Sequence, residues 1–260
     1  MGEDIKLSIK NIGVSYSKNG RITEALRSVS LTVKVREFVS VVGPSGCGKS
    51  TLLKVICGLI KPTLGQIYID GKEVTGVPDK VGFVFQNDAL LPWMSVMDNV
   101  RLPLDIKGVP KKEQKETAKR LICSVGLNGF EDYMISQLSG GMKKRVTLAR
   151  TFAYDPGLYL MDEPFGPLDA QTRVRIGEEF LALWEKFGKS VIFVTHDIEE
   201  AIALSDRVIV LTNRPGTIKD EFVVELGRPR PFYMSRFEPR FKVLQREIWG
   251  SLSSMEEYNL

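Results

Sequence analysis

The 260-residue chain contains a single histidine, His196. A zinc site built from several histidines is therefore excluded, and any imidazole chemistry must run through that residue. Cysteine is sparse too: Cys47, Cys57 and Cys123 are odd in number and lack metal-ligand spacing, which argues against a disulfide framework and for a reducing cytosol. The longest unbroken apolar run, Phe180 to Trp184, is far too short to span a bilayer. Met1 to Lys10 is charged from the start and predicts no signal peptide, and Lys6 stands where a myristoylated Met1-Gly2 terminus needs Ser or Thr. Net charge is only +4, compatible with nucleic acid, anionic lipid or a nucleotide and selecting none of them. What is present is a globular composition, 43% hydrophobic and 26% charged, enough to build one large α/β domain or two small ones.

Short β-like runs at Ile5 to Ile9, Val29 to Val33 and Phe38 to Val42 are separated by Asn, Gly and Ser turn chemistry. A glycine-rich turn follows, then an apolar helix pattern from Lys49 to Leu59. Gln66 to Asp70 and Val81 to Phe85 read as further strands, and Asn87 to Val100 as loop. Lys111 to Gly126 and Gly141 to Tyr154 have helical spacing. Continuous apolar runs at Leu158 to Met161, Val191 to Thr195 and Val208 to Leu211 predict parallel strands covered on both faces, with a helix from Ala170 to Phe187 between the first two. The alternation implies a doubly wound α/β core over 1–86 and 156–227, interrupted by a helical insertion over 87–155. From 228 to 260 a basic tail carries Arg228, Arg230, Arg236, Arg240, Lys242 and Arg246, and Pro239 opens an amphipathic helix with Phe241, Leu244, Ile248 and Leu252 on one face.

Three stretches carry chemistry. Gly43-Pro44-Ser45-Gly46-Cys47-Gly48-Lys49-Ser50-Thr51 fits G-x-x-x-x-G-K-[ST] between a strand and a helix. Its glycines let backbone N–H groups curl around phosphate, the helix start adds its dipole, Lys49 meets the outer phosphates, and Ser50 is placed to ligate Mg²⁺. Leu158 to Met161 delivers Asp162 and Glu163 at a strand's C-terminal end, where open α/β sheets bind ligands. Asp162 is assigned to the metal and Glu163 to general base. Leu138-Ser139-Gly140-Gly141 opens a helix with no strand before it; Ser139 suits an N-cap, and the glycines allow an anion close to exposed N–H groups. Lys143, Lys144 and Arg145 read as a solvated helix face rather than a nucleic-acid patch. Cys47, beside Lys49 and a helix start, has a setting that can lower a thiol pKa, so alkylation there that a bound nucleotide protects against is expected.

The ordered set of phosphate loop, Gln86, Leu138-Ser139-Gly140-Gly141, Asp162-Glu163, Pro167-Leu168-Asp169 and His196 resembles the ATP-binding subunit of an ABC transporter. The resemblance implies a RecA-like P-loop NTPase core with N-terminal antiparallel strands, ATP and Mg²⁺ as cofactors, and two cassettes dimerising head to tail. It implies that Ser139, Gly140 and Gly141 bind ATP in trans and that Asp169 lies at the dimer interface. Gln86 is implied to contact Mg²⁺ or the attacking water, and His196 to sense the γ-phosphate. Tyr16 matches the aromatic that stacks on adenine, although a tyrosine ending a strand is more often core or edge packing. Leu90, Leu91, Pro92 and Trp93 either dock a helix of a membrane subunit or pack within the helical insertion. Leu91-Pro92-Trp93, Met161 to Phe165 and the arginine-rich tail look most like nitrate, sulfonate and taurine importers. The implied partners are a second ATPase subunit, separate permease chains and, indirectly, a substrate-binding protein, at the cytoplasmic face of the membrane.

Two rival functions leave different marks. Chromosome and repair ATPases of the ABC type place a long coiled coil or zinc insertion between phosphate loop and signature, whereas Lys49 and Asp162 are 113 positions apart. Ribosome-directed members carry two cassettes in one chain. A switch GTPase carries Asn-Lys-x-Asp, which this sequence lacks.

Overall fold

The computed structural model describes residues 4–254. The Met1-Gly2 terminus and the end of the basic tail, 255–260, lie outside the described residues. In chain order the elements are β1 (Ile5–Lys18), β2 (Arg21–Lys34), β3 (Phe38–Val42), α1 (Lys49–Ile56), β4 (Leu64–Ile69), β5 (Lys72–Glu73), β6 (Val81–Val84), α2 (Val96–Ile106), α3 (Lys111–Ser124), α4 (Gly140–Tyr154), β7 (Leu158–Asp162), α5 (Ala170–Phe187), β8 (Ser190–Val194), α6 (Ile198–Leu204), β9 (Arg207–Leu211), β10 (Ile218–Val223) and α7 (Pro239–Ser253).

They form two sheets. The first is antiparallel, in the order β2-β1-β4-β5; the second runs β10-β9-β3-β8-β7-β6, with β6, β7, β8, β3 and β9 parallel and β10 antiparallel at the edge. Alternation along the central strands explains their unbroken apolar sequences. Val39 and Val41 face one core while Phe38 and Val42 face the other, and β7 and β8 split the same way. One core fills the space between the sheets and wraps α1, whose Leu52, Leu53, Val55 and Ile56 are buried there. The other lies between the six-stranded sheet and the remaining long helices, with Phe38, Phe180, Trp184 and Phe193 packed at centroid separations of 5.3 to 6.1 Å around Phe38.

Three local expectations need correction, and the basic tail acquires a role. The N-terminal strands are a hairpin of two 14-residue strands rather than short runs, because bulges let both continue past the Asn and Gly positions. Asn87 to Val100 is not all loop: Ser95 accepts a hydrogen bond from the Asp98 amide and starts α2, which continues through Pro103. The tail's first arginines are structural. Arg228 lies over the Trp184 ring at 4.3 Å and donates to the Leu204 carbonyl, and buried Arg230 donates to the carbonyls of Ile202 (3.0 Å) and Ser205 (3.1 Å), closing the C-terminal end of α6. Burial, with Arg228 alongside, brings the Arg230 guanidinium down to about 10.

Lys143 to Arg145 is the third correction. Lys144 is 2% exposed and pairs with Asp88 at 3.0 Å, while Arg145 pairs with Glu179 and donates to the Val125 carbonyl. Thr147 and Arg150 also donate to the Asp88 carbonyl, so α4 grips the chain just beyond Gln86. Among the described residues no helix is long and apolar enough to cross a membrane.

Candidate functional site

The topology gathers the chemistry at one edge. The phosphate loop follows β3; Asp162 ends and Glu163 follows β7; His196 follows β8; and β8 and β9 flank β3 directly. Gly48, the N-cap of α1, has φ +111°, and a Cβ there would approach Leu26 Cδ2 to 2.6 Å, so only glycine lets the loop close against β2. The Lys49 ammonium donates to the carbonyls of Gly43 (2.7 Å) and Pro44 (2.9 Å), which places its charge inside the curl of the loop. A groove of about 270 Å³ is lined by Tyr16, Ser45, Gly46, Gly48, Lys49, Ser50, Thr51 and Glu163, with Thr23, Ala25 and Arg214 completing it. Tyr16 lies half-exposed on its rim, its hydroxyl 3.3 Å from Thr51 Oγ1.

Ser50 Oγ donates to Asp162 Oδ1 at 2.9 Å. Burial holds the Asp162 carboxyl above its usual range, and the neighbouring Glu163 charge adds to this against the opposing Ser50 hydrogen bond. A hydroxyl and a buried carboxylate are the hard oxygen set that suits Mg²⁺, which takes one or two protein ligands beside phosphate oxygens. No cluster of three or more His, Cys, Asp and Glu able to hold a metal occurs among the described residues.

Glu163 has φ +43°, a left-handed conformation that a non-glycine residue adopts at a strain of about 1–3 kcal/mol. Its amide donates to the Val194 carbonyl at 2.9 Å, and its Oε2 lies 3.1 Å from His196 Nδ1. The two side chains differ in access: the imidazole is 62% exposed and the carboxylate 22%.

The other expected residues are placed elsewhere. Gln86 lies exposed two positions past β6 and is not among the groove's residues. Ser139 caps α4 by accepting from the Met142 amide at 3.3 Å, with Gly140 exposed beside it. A Cβ on Gly141 would come within 2.9 Å of Thr172 Cγ2, so this glycine also lets α4 approach α5. None of the three lines the phosphate-loop groove of its own chain. Asp169 caps α5, accepting from the Thr172 amide at 3.0 Å, and that hydrogen bond holds its carboxyl below the usual range. The Leu90 to Trp93 loop is held from α2, where fully buried Asn99 hydrogen-bonds the Leu91 amide and the carbonyls of Leu91, Met94 and Ser95; Leu90 packs on the core while Trp93 is 69% exposed.

Cys47 reverses its expectation. Its side chain is 1% exposed, and burial pushes the thiol up more strongly than Lys49 pulls it down. Maleimide is therefore expected to modify exposed Cys123 in the native chain and to reach Cys47 only after denaturant is added. Peptide mass spectrometry of the labelled protein checks this, and rapid labelling of native Cys47 would contradict it.

Arg214 was not foreseen. It sits in the turn after β9, which the parallel pairing with β3 brings beside the phosphate loop. Gly216 fastens that turn, donating to the Ala25 carbonyl and accepting from the Arg27 amide. No local pattern marks such a residue, because only the strand order makes it a neighbour.

A family model described as ABC transporter matches residues 26–166. The chain belongs to the ABC transporter family. A 50% identical relative is an uncharacterized ABC transporter ATP-binding protein of Methanocaldococcus jannaschii, aligned over 92% of this chain and 90% of its own. Taurine import ATP-binding protein TauB of Roseobacter denitrificans is 42% identical, over 96% of this chain and 95% of its own. Nitrate import ATP-binding protein NrtD of Synechocystis is also 42% identical, over 94% and 93%. A solved dimeric ATP-binding cassette in a post-hydrolysis state, bound to ADP and Pi, is 35% identical with a TM-score of 0.75, covering 85% of this chain and all of that one. The expected likeness to nitrate and taurine importer subunits therefore holds. This ABC ATP-binding subunit is an ATPase with a P-loop NTPase core.

Proposed function

We propose that this ABC ATPase powers uptake of a small anion through separate permease subunits, working as a pair of cassettes at the cytoplasmic face of the membrane. The carrying observation is that the chain holds two helix starts suited to phosphate, at α1 and α4, and only the first opens onto its own groove. A second copy placed head to tail supplies Ser139, Gly140 and Gly141 to the ATP held by the first. The dimeric state of the similar solved cassette supports this arrangement. The taurine and nitrate import subunits support a small anion as cargo.

Within that pair, the amides of Gly43 to Thr51 and the Lys49 ammonium bind the phosphates, and Tyr16 stacks on adenine. Ser50 and Asp162, with Gln86, would hold Mg²⁺, which when bound neutralises phosphate charge. Glu163 accepts the proton of the attacking water, and His196, in contact with Glu163, hydrogen-bonds the transferred group. Asp169 lies where the two cassettes meet. Exposed Trp93, on a loop held rigid by Asn99, favours docking of a permease helix over packing in the insertion. Nucleic acid is not a partner in this reading.

ATPase assays with the detergent-solubilised permease, with duplex DNA and with neither test the proposal. Turnover is expected to rise several-fold with permease and to be unmoved by DNA. Stimulation by DNA with none from the permease would assign the chain to the soluble, nucleic-acid class instead.

A further inference from the structure

Two loops meet at the reacting end of the site. One runs from Glu163 to Asp169 after β7, and the other spans Thr195, His196 and Asp197 after β8. Their near sides are joined by the Glu163 amide on the Val194 carbonyl and by the Glu163–His196 contact. Their far sides are joined by one side chain. Arg173 Nη2 donates to the Leu168 carbonyl at 3.1 Å, Nη1 donates to Asp197 Oδ2 at 3.1 Å, and Nε lies 3.5 Å from Glu200 Oε1.

The acceptors of this fork are themselves fixed. The second oxygen of Asp197 caps α6, accepting from the amides of Glu199 (2.9 Å) and Glu200 (3.1 Å). Buried Glu200 accepts from Thr195 Oγ1 at 2.7 Å, and Thr195 Oγ1 accepts from the Asp197 amide at 3.0 Å. Both neighbours of His196 are therefore locked, while the imidazole itself is exposed and lies 3.1 Å from the Glu163 carboxylate. At the other end, Arg173 closes the first turn of α5, its amide on the Asp169 carbonyl at 2.9 Å, so its guanidinium is anchored one turn from the residue proposed for the dimer interface. The planar fork reaches a carbonyl and two carboxylates at once, which a lysine ammonium on its flexible stem does not reproduce.

We propose that Arg173 is a positioning residue, tying the Leu168–Asp169 segment to the Thr195–Asp197 loop so that His196 is held against Glu163. It is not among the residues that line the phosphate-loop groove. The proposal rests on the roles given above to Glu163 and His196. A displacement of about 1 Å between such groups costs on the order of 100-fold in rate, so a strut at this point controls turnover and not affinity.

The test compares Arg173→Ala, Arg173→Lys, His196→Ala and the Arg173→Ala/His196→Ala double variant. ATPase kcat, the affinity of a fluorescent ATP analogue and a thermal melt are measured for each. Arg173→Lys keeps a cation beside buried Glu200 and so guards against simple misfolding. Both single Arg173 variants are expected to lose roughly 10- to 100-fold in kcat with analogue affinity within about twofold. The double variant should turn over within about twofold of His196→Ala alone, because Arg173 acts through His196. Full turnover in Arg173→Lys, or a loss that multiplies with that of His196→Ala, overturns the proposal and leaves the site reading standing. Unchanged turnover in His196→Ala overturns the site reading, and the proposal with it.

Discussion

Glu163→Gln is expected to bind ATP normally while losing about 10²- to 10⁴-fold in turnover, the range for removal of a general base. The side chain sits between two partners of different kinds: its backbone leans on the Val194 carbonyl, and its carboxylate meets His196 at 3.1 Å. Glutamine preserves size and hydrogen-bonding reach and adopts the same left-handed φ, so the strained turn is not relieved and the loop keeps its path. What disappears is the capacity to take a proton. In the proposed pair of cassettes, ATP that binds and is not hydrolysed keeps the two chains together. Single-turnover hydrolysis measured beside gel filtration with ATP is expected to show slow chemistry and an accumulated dimer. Near-normal turnover would remove Glu163 from the base role.

Lys49→Ala is expected to act at the preceding step. Its ammonium is buried in the loop and hydrogen-bonded to the Gly43 and Pro44 carbonyls, within the curl that the nucleotide phosphates would enter. Losing charge-assisted hydrogen bonds costs about 1.5–3 kcal/mol, or roughly 10- to 150-fold in nucleotide affinity. A fluorescent ATP analogue titrated against wild type and variant measures this directly. Because the same ammonium ties together the loop's first two carbonyls, a melt of the nucleotide-free variant separates lost binding from lost loop order. Wild-type affinity in a folded variant would show that the loop amides bind phosphate without the lysine. The two substitutions thus divide the site: Lys49 acts on affinity and Glu163 on chemistry.

The order of strands, helices and loops was readable where residues obey a short-range rule. The apolar runs of β3, β7 and β8 predicted strands buried on both faces, and Ala170 to Phe187 predicted α5 to the residue. Ser139 was visible as a residue type that begins a helix, and it caps α4; Asp169, which entered only through the family resemblance, caps α5. Misreadings fall where local signals conflict. Asn87 to Val100 reads as loop, yet α2 begins at Val96 and runs through Pro103, because burial of Val96, Val100 and Leu104 outweighs one lost hydrogen bond. The charged sequence of β10 disguised an edge strand, half solvated and paired on one side. Glu200 shows the limit most plainly. In sequence it is one acid of a pair in a short helix. In the fold, burial raises its carboxyl from an ordinary 4.5 to about 7, with the Thr195 hydrogen bond opposing that rise.

By itself, then, the sequence determined which groups stand at the sheet's C-terminal edge: the phosphate loop with Lys49 and Ser50, the Asp162-Glu163 pair and the lone His196. Each is announced by its own few residues, since a phosphate loop or a strand-end acid is a local arrangement of backbone and side chain. The tertiary structure decided what the remaining charges are for. Lys144 reaches Asp88 across 56 positions, Arg230 closes a helix that ended 26 residues earlier, Arg214 arrives beside the phosphate loop because β9 pairs with β3, and Arg173 joins two loops from adjacent strands. An arginine's local sequence is the same whether it faces water or a buried carbonyl. Its role depends on which distant acceptors the folded chain carries within reach, and that is set by strand order and helix packing, not by anything a short window of residues records.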